Sequence, residues 1–136
     1  MVKLIMGLQG AGKTKQLIHD INEAVINESG SIVCIEKGTK LRYDIDIRVR
    51  LIEYQDYMMG DLASLKGFIS GLHAGNFDIT HVFIDSFYKL VENGSVAEIE
   101  DFVLWCDKFG AANGISFTII VSENPETASE TLKKYM

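Results

Sequence analysis

Val2-Lys3-Leu4-Ile5-Met6-Gly7-Leu8-Gln9-Gly10-Ala11-Gly12-Lys13-Thr14 sets a strand, a glycine-rich loop and the first residues of a helix end to end, and it decides how the remaining chain is read. Val2 to Met6 is an apolar run of strand length. From Lys13 onward Leu17, Ile18, Ile21, Ala24 and Val25 recur at i, i+1, i+4, i+7 and i+8, the stripe of an amphipathic helix. Gly30 stands where a helix of that length takes its C′ glycine. Between strand and helix, Gly7 to Thr14 follows the pattern G-x-x-x-x-G-K-[ST] in full. Gly7, Gly10 and Gly12 bring no Cβ and tolerate positive φ, so the chain can wrap closely enough for several N–H groups to converge on one anion.

That convergence is what a polyphosphate needs, with its concentrated charge and many acceptor lone pairs. Read this way, Gly7, Leu8, Gln9, Gly10, Ala11, Gly12, Lys13 and Thr14 form the binding loop of a nucleoside triphosphate. Lys13 sets its ammonium between the β- and γ-phosphates, in a role both binding and catalytic, and the Thr14 hydroxyl is a ligand of the accompanying Mg²⁺. ATP is preferred to GTP because no N-K-x-D stretch is present.

The remaining chain alternates strand and helix. Ser31 to Glu36 is an apolar run closed by an acid. Residues 44 to 51 place Ile45, Ile47, Val49 and Leu51 on one face and Asp44, Asp46, Arg48 and Arg50 on the other, which suits an edge strand beginning at 44 or nearer 49. Tyr54, Tyr57, Met58 and Met59 carry apolar character into a loop. Asp61 caps a helix to about Ala74, in which Gly67 and Gly71 are expected to allow close approach to the sheet. His81 to Asp85 is another buried strand ending in an acid. Ser95-Val96-Ala97-Glu98 has capping-box form and opens a helix to about Phe109, with Val96, Ile99, Phe102, Val103 and Cys106 inward. Ile115 to Val121 is the last strand, and Asn124-Pro125 starts the last helix. The expectation is one domain over residues 1–136: an α/β three-layer sandwich with a mainly parallel sheet. Ligands of such sheets bind at the carboxyl ends of the strands, where the 7–14 loop, Glu36, Asp85 and Ser122 all fall.

Composition narrows the alternatives. Hydrophobic residues at 47% and charged ones at 24% describe an ordinary globular domain, and no apolar run approaches the roughly 20 residues that span a bilayer. The sequence enters a strand at once without a leader pattern, so a cytoplasmic location is expected. Cys34 and Cys106 lack C-x-x-C spacing and read as buried thiols. A net charge of −6 without a basic, aromatic-interleaved patch argues against nucleic acid as partner. His19, His73 and His81 are too scattered for a metal centre.

Two acids would carry the chemistry. Asp85 after Val82-Phe83-Ile84 has the form of a Walker B carboxylate that holds Mg²⁺. Hydrolysis also needs a group that orients and deprotonates the attacking water. Position 86, where many such enzymes have Glu, is Ser, which leaves Glu36 at the neighbouring strand tip as the candidate base.

The order of these segments, with Phe117-Thr118-Ile119-Ile120-Val121-Ser122 last, resembles the core of RecA-like P-loop ATPases. The resemblance implies that Glu36 is the water-activating base, that Asp85 is the metal ligand, and that Ser122 senses the γ-phosphate. It also implies that the strand carrying Asp85 is separated from the Walker A strand by the one following it. The long DNA-binding loops of the recombinases have no counterpart, so DNA binding is not carried over. Their inter-subunit cationic finger has no evident equivalent either; Arg42, Arg48, Arg50 and Lys108 are the candidates across an interface with a second copy or a protein partner. The expectation is a slow or partner-dependent ATPase. The alternatives are a small-molecule kinase, which the thymidine-kinase family suggests although its zinc lasso is missing, with Glu36 or Tyr88 near the acceptor, and a nucleotide-binding adaptor without turnover.

Overall fold

Five parallel strands build the centre of the molecule: Val2–Met6 (β1), Ser31–Glu36 (β2), Arg50–Glu53 (β3), Ile79–Ile84 (β4) and Ser116–Val121 (β5), in the order β1-β5-β4-β2-β3. The structure is a computed structural model, and it describes residues 1–38, 40–57, 60–91 and 94–136. Met58 and Met59, read from the sequence as loop, lie outside the described residues. The helices are Lys13–Asn27 (α1), Leu62–Gly75 (α2), the single turn Phe87–Leu90 (α3), Val96–Asn113 (α4) and Glu130–Lys133 (α5).

Alternation within the strands sorts the helices into layers. Ile32, Cys34, Phe83 and Ile120 point to one face and meet Leu17, Ile21 and Ala24 of α1, with Leu41 and Val49 from the β2–β3 connection completing that cluster. Val33, Ile35, Val82, Ile84 and Ile119 point to the other face, against Leu65 and Ile69 of α2 and Ile99, Phe102, Val103 and Cys106 of α4. Helix, sheet and helix therefore form three layers. Each buried side chain of this size stabilises by about 1.5–3 kcal/mol, and Leu17, Ile21, Leu65, Phe83 and Phe102 are all fully inaccessible. Both cysteines are free and buried, and burial pushes both thiols up. No described helix is long and apolar enough to cross a membrane.

Several local expectations need correction. The edge strand begins at Arg50, and residues 44–49 form turns: the Asp46 amide donates to Asn22 Oδ1 at 3.1 Å, and Asp46 Oδ1 accepts from the Arg48 amide at 2.8 Å. Its alternation reflects a looped segment, with Ile47 98% exposed. α1 ends at Glu28 in extended conformation, so Gly30 is not a left-handed cap. Gly30 is instead a contact residue, since a Cβ there would collide with Thr80 and the Asp78 carbonyl at the start of β4. Gly67 and Gly71 lie on the exposed side of α2 with open space beyond them, so they serve no approach to the sheet. Val96 is outside as well, while α4 runs on to Asn113 and ends on Gly114 at φ 68°. Asn124-Pro125 opens only the 3-10 turn Pro125–Thr127; the last helix starts five residues later, capped by Ser129.

Candidate functional site

The 7–14 loop leaves β1 at the carboxyl edge of the sheet and enters α1 through two left-handed glycines, Gly10 and Gly12, both at φ 86°. Gly7 does not share that conformation. It is buried beneath the loop, where a Cβ would lie 3.0 Å from Ala11 Cβ, and its amide donates to the Val121 carbonyl at 3.4 Å. Lys13 bends back over the loop, and its Nζ donates to the Leu8 carbonyl at 3.0 Å.

The start of α1 differs from those of α2, α4 and α5. Those three are capped by the side chains of Asp61, Ser95 and Ser129, each accepting a backbone N–H. α1 has no side-chain cap and no acid in its first turn, and carries Lys13 and Lys15 there instead. Its leading N–H groups are the donors that every helix must satisfy from outside. Two cations at the positive end of a helix dipole are disfavoured by about 0.3–1 kcal/mol each. An anion placed there would offset both costs.

In front of it lies a cavity of about 610 Å³, lined by Gln9, Gly10, Gly12, Lys13, Thr14 and Lys15 from the loop and α1, Lys40 from the β2–β3 connection, Asp85, Ser86 and Lys89 after β4, and Ile120 and Ser122 from the end of β5. The loop, Asp85 and Ser122 therefore meet as expected. Leu8 and Ala11 do not line the cavity, nor does Gly7. Volume alone decides nothing, because a second cavity of about 580 Å³ opens at the opposite end of the sheet, beside Glu28, Gly30, Arg48 and Asp78. Charge separates the two. Among the described residues, the first cavity is lined by four lysines and one carboxylate within a chain of net charge −6, whereas the second is lined by two acids and one arginine. Positive charge gathered in a cleft of an acidic protein concentrates anions there.

Asp85 follows the last residue of β4, and its amide donates to the Ile35 carbonyl at 3.0 Å. Burial raises its carboxyl above the ordinary range, opposed by the Ser86 hydroxyl, which donates at 3.2 Å, and by Lys89, Lys40 and Lys13. Next to it Ser86 is held at φ 57°, ψ 74°, the single left-handed non-glycine among the described residues. Such backbone costs roughly 1–3 kcal/mol and persists where its surroundings enforce it. A half-buried acid and an exposed threonine that line one cavity bring the hard oxygen donors that Mg²⁺ takes, so the chemistry of Thr14 and Asp85 fits that ion.

Glu36 is placed differently. It is 3% exposed and borders a separate space of about 30 Å³ shared with Lys40, Asp85 and Lys89. Its two carboxylate oxygens accept from the amides of Lys40 at 3.1 Å and Leu41 at 3.2 Å, fixing the turn after β2. Burial, followed by Asp85, raises its carboxyl against the pull of those amides. Tyr88 is turned away from the cavity, its hydroxyl donating to Glu123 at 2.9 Å, and its phenol is pushed up to about 12 by burial and that acid. Lys40 and Lys89 were missed by sequence reading because no motif specifies them; the available signal was a basic residue within five positions of a strand's carboxyl end.

The architecture is an α/β fold with an all-parallel sheet and a glycine-rich loop leading into an uncapped helix. No family model matches this chain, and no curated protein is detectably similar to it.

Proposed function

We propose that this chain binds Mg·ATP at the 7–14 loop and belongs to the RecA-like class of P-loop NTPases, hydrolysing ATP slowly or with a partner. The observation that carries the reading is the uncapped, lysine-bearing start of α1 facing a cavity that also gathers Asp85 and Ser122. Strand order supports the class, since β5 stands between β1 and β4. Gly10, Gly12 and the first amides of α1 would surround the phosphates, with Lys13 moving from the Leu8 carbonyl onto them. Thr14 and Asp85 would hold Mg²⁺, which screens phosphate charge. Ser122 would contact the outer phosphate, and the Glu36 carboxylate would act as base once released from the Lys40 and Leu41 amides.

Those same two hydrogen bonds favour a second reading, a nucleotide-binding module without turnover, because they occupy the only base assigned. The kinase reading draws no support from Tyr88, whose hydroxyl is engaged by Glu123. Calorimetry with Mg·ATP tests the proposal. Binding is expected for the natural chain, and Lys13→Ala should weaken it by about 10- to 100-fold, the worth of a charge-assisted hydrogen bond. Phosphate release lost in Glu36→Gln marks the ATPase; tight binding without release marks the non-hydrolysing module. Absence of heat with the natural chain, at protein concentrations that detect millimolar affinity, refutes both.

A further inference from the structure

The cations expected to act across an interface on a second copy need not line this chain's own cavity, and they do not. Arg42 pairs with Glu53 and Arg48 with Asp46, on the far side of β3. Neither Arg50 nor Lys108 lines the cavity. Two residues that no motif singled out do line it, and the chain around each explains why.

Lys89 is carried by α3. The left-handed Ser86 reverses the chain at the end of β4 and lets a single helical turn follow, closed by the Lys89 amide donating to the Ser86 carbonyl at 2.9 Å. Phe87, Leu90 and Val91 are buried and anchor that turn in the core, while Tyr88 is held by Glu123. Lys89 is the one side chain of α3 left in solvent. Lys40 is carried by the turn that Glu36 fixes. With Leu41 buried under α1, the adjoining Lys40 side chain stands exposed at the cavity wall. Each lysine thus sits on backbone pinned by its neighbours, and both border the narrow space where Asp85 and Glu36 face each other.

Resting on the reading of the 7–14 loop as a triphosphate site, we propose that Lys40 and Lys89 grip the terminal phosphate and make the site selective for nucleoside triphosphate over diphosphate. The loop and Lys13 would hold the β-phosphate that both ligands share, Lys13 reaching the γ-phosphate of the longer one as well. Lys40 and Lys89 line the same cavity from two other segments and share a smaller space with Asp85, so the phosphate assigned to them is the one that only the longer ligand carries. A ligand lacking that group leaves two ammonium groups in water and loses nothing it had.

The test is calorimetry on the full chain with Mg·ATP and Mg·ADP, comparing the natural protein with Lys40→Ala, Lys89→Ala, Lys13→Ala and, as a control away from the cavity, Lys108→Ala. The natural chain is expected to prefer ATP. Lys40→Ala and Lys89→Ala should each lower ATP affinity about 10-fold, the worth of one charge-assisted contact, while ADP affinity stays within about 2-fold, an uncertainty set by screened charge at this range. Lys13→Ala should weaken both ligands, and Lys108→Ala neither. Equal losses for ATP and ADP, or no loss, in the Lys40 and Lys89 variants would overturn the clamp while leaving the loop reading intact. If the natural chain binds neither nucleotide, the loop reading fails and takes the clamp with it.

Discussion

The two ends of the sheet are built to opposite standards. At the amino end a half-buried polar side chain finds its partners within the chain: His81 on β4 stacks on Phe83 with ring centroids 4.0 Å apart, its Nδ1 lies 2.7 Å from Glu28 Oε2, and its Nε2 lies 2.9 Å from Thr118 Oγ1, although the neighbouring Thr80 Oγ1 is buried without a hydrogen-bond partner. A carboxylate only accepts, so Nδ1 carries the proton and the Thr118 hydroxyl donates to Nε2. The network ties the end of α1 to β4 and β5. At the carboxyl end of the same strands, Asp85 and Glu36 are held above their ordinary ionisation range, Ser86 is strained, and α1 begins with two lysines and no cap. The His81 network is completed within the chain, whereas the strained, uncapped carboxyl edge is not. Local rules are kept in the network at the amino end and broken at the carboxyl end, and such departures concentrate at functional or strained sites.

The contrast predicts mutations of opposite sign. The largest effect belongs to the amino end: His81→Ala removes the stack on Phe83 and strands Glu28 and Thr118, and should destabilise by about 3 kcal/mol in urea unfolding. The same histidine sets an acid limb. Burial lowers it below 6.5 despite Glu28 and Asp20, so the unfolded chain binds a proton that the folded chain refuses. Stability should therefore fall as pH drops from about 6.5, and His81→Gln should flatten that limb. Asp85 and Glu36 work the other way. Their raised values mean that the folded chain keeps protons the unfolded one has released, so their contribution is greatest below 3.8 and 4.5 and is lost as pH rises through the folded values. Asp85→Asn should consequently stabilise the protein at neutral pH by about 1 kcal/mol while removing the Mg²⁺ dependence of nucleotide binding. A lower melting temperature for this variant would break the comparison. The smallest effect is Ser86→Gly, expected to add about 0.5 kcal/mol, the relief of left-handed strain less the entropy of a glycine; loss of stability would show that the hydroxyl on Asp85 outweighs the strain.

Much of this was legible from sequence, for identifiable reasons. β2, β4 and β5 are buried on both faces, so their continuous apolar runs could be read without knowing their neighbours. The caps at Asp61 and Ser95 were readable because a cap is a local hydrogen bond. Residues 44–49 misled because alternation records only which side chains are apolar; the turns there depend on Asn22, more than twenty positions away. Asn124-Pro125 gave a genuine start signal, and the Asn124 side chain does accept from the Glu126 amide at 3.0 Å, but a cap says nothing of how far a helix continues. Gly67 and Gly71 were assigned to packing on spacing alone, and the spacing lies on the outer side. Lys13, Thr14 and Asp85 could be brought to one cavity from sequence because a motif and the strand ends fix their positions. Lys40 and Lys89 could not, because a cavity wall is assembled from segments that sequence order keeps apart.

The hydrogen bond from Lys13 to the Leu8 carbonyl has a consequence for what can dock. One of the three ammonium donors is spent on that carbonyl and two remain, so a ligand can be met without surrendering the resting contact. Under the proposed reading, a multiply charged oxyanion would gain more from those two donors than the oxygen of a sugar or an amide would. The loop would then discriminate against the crowd of neutral metabolites.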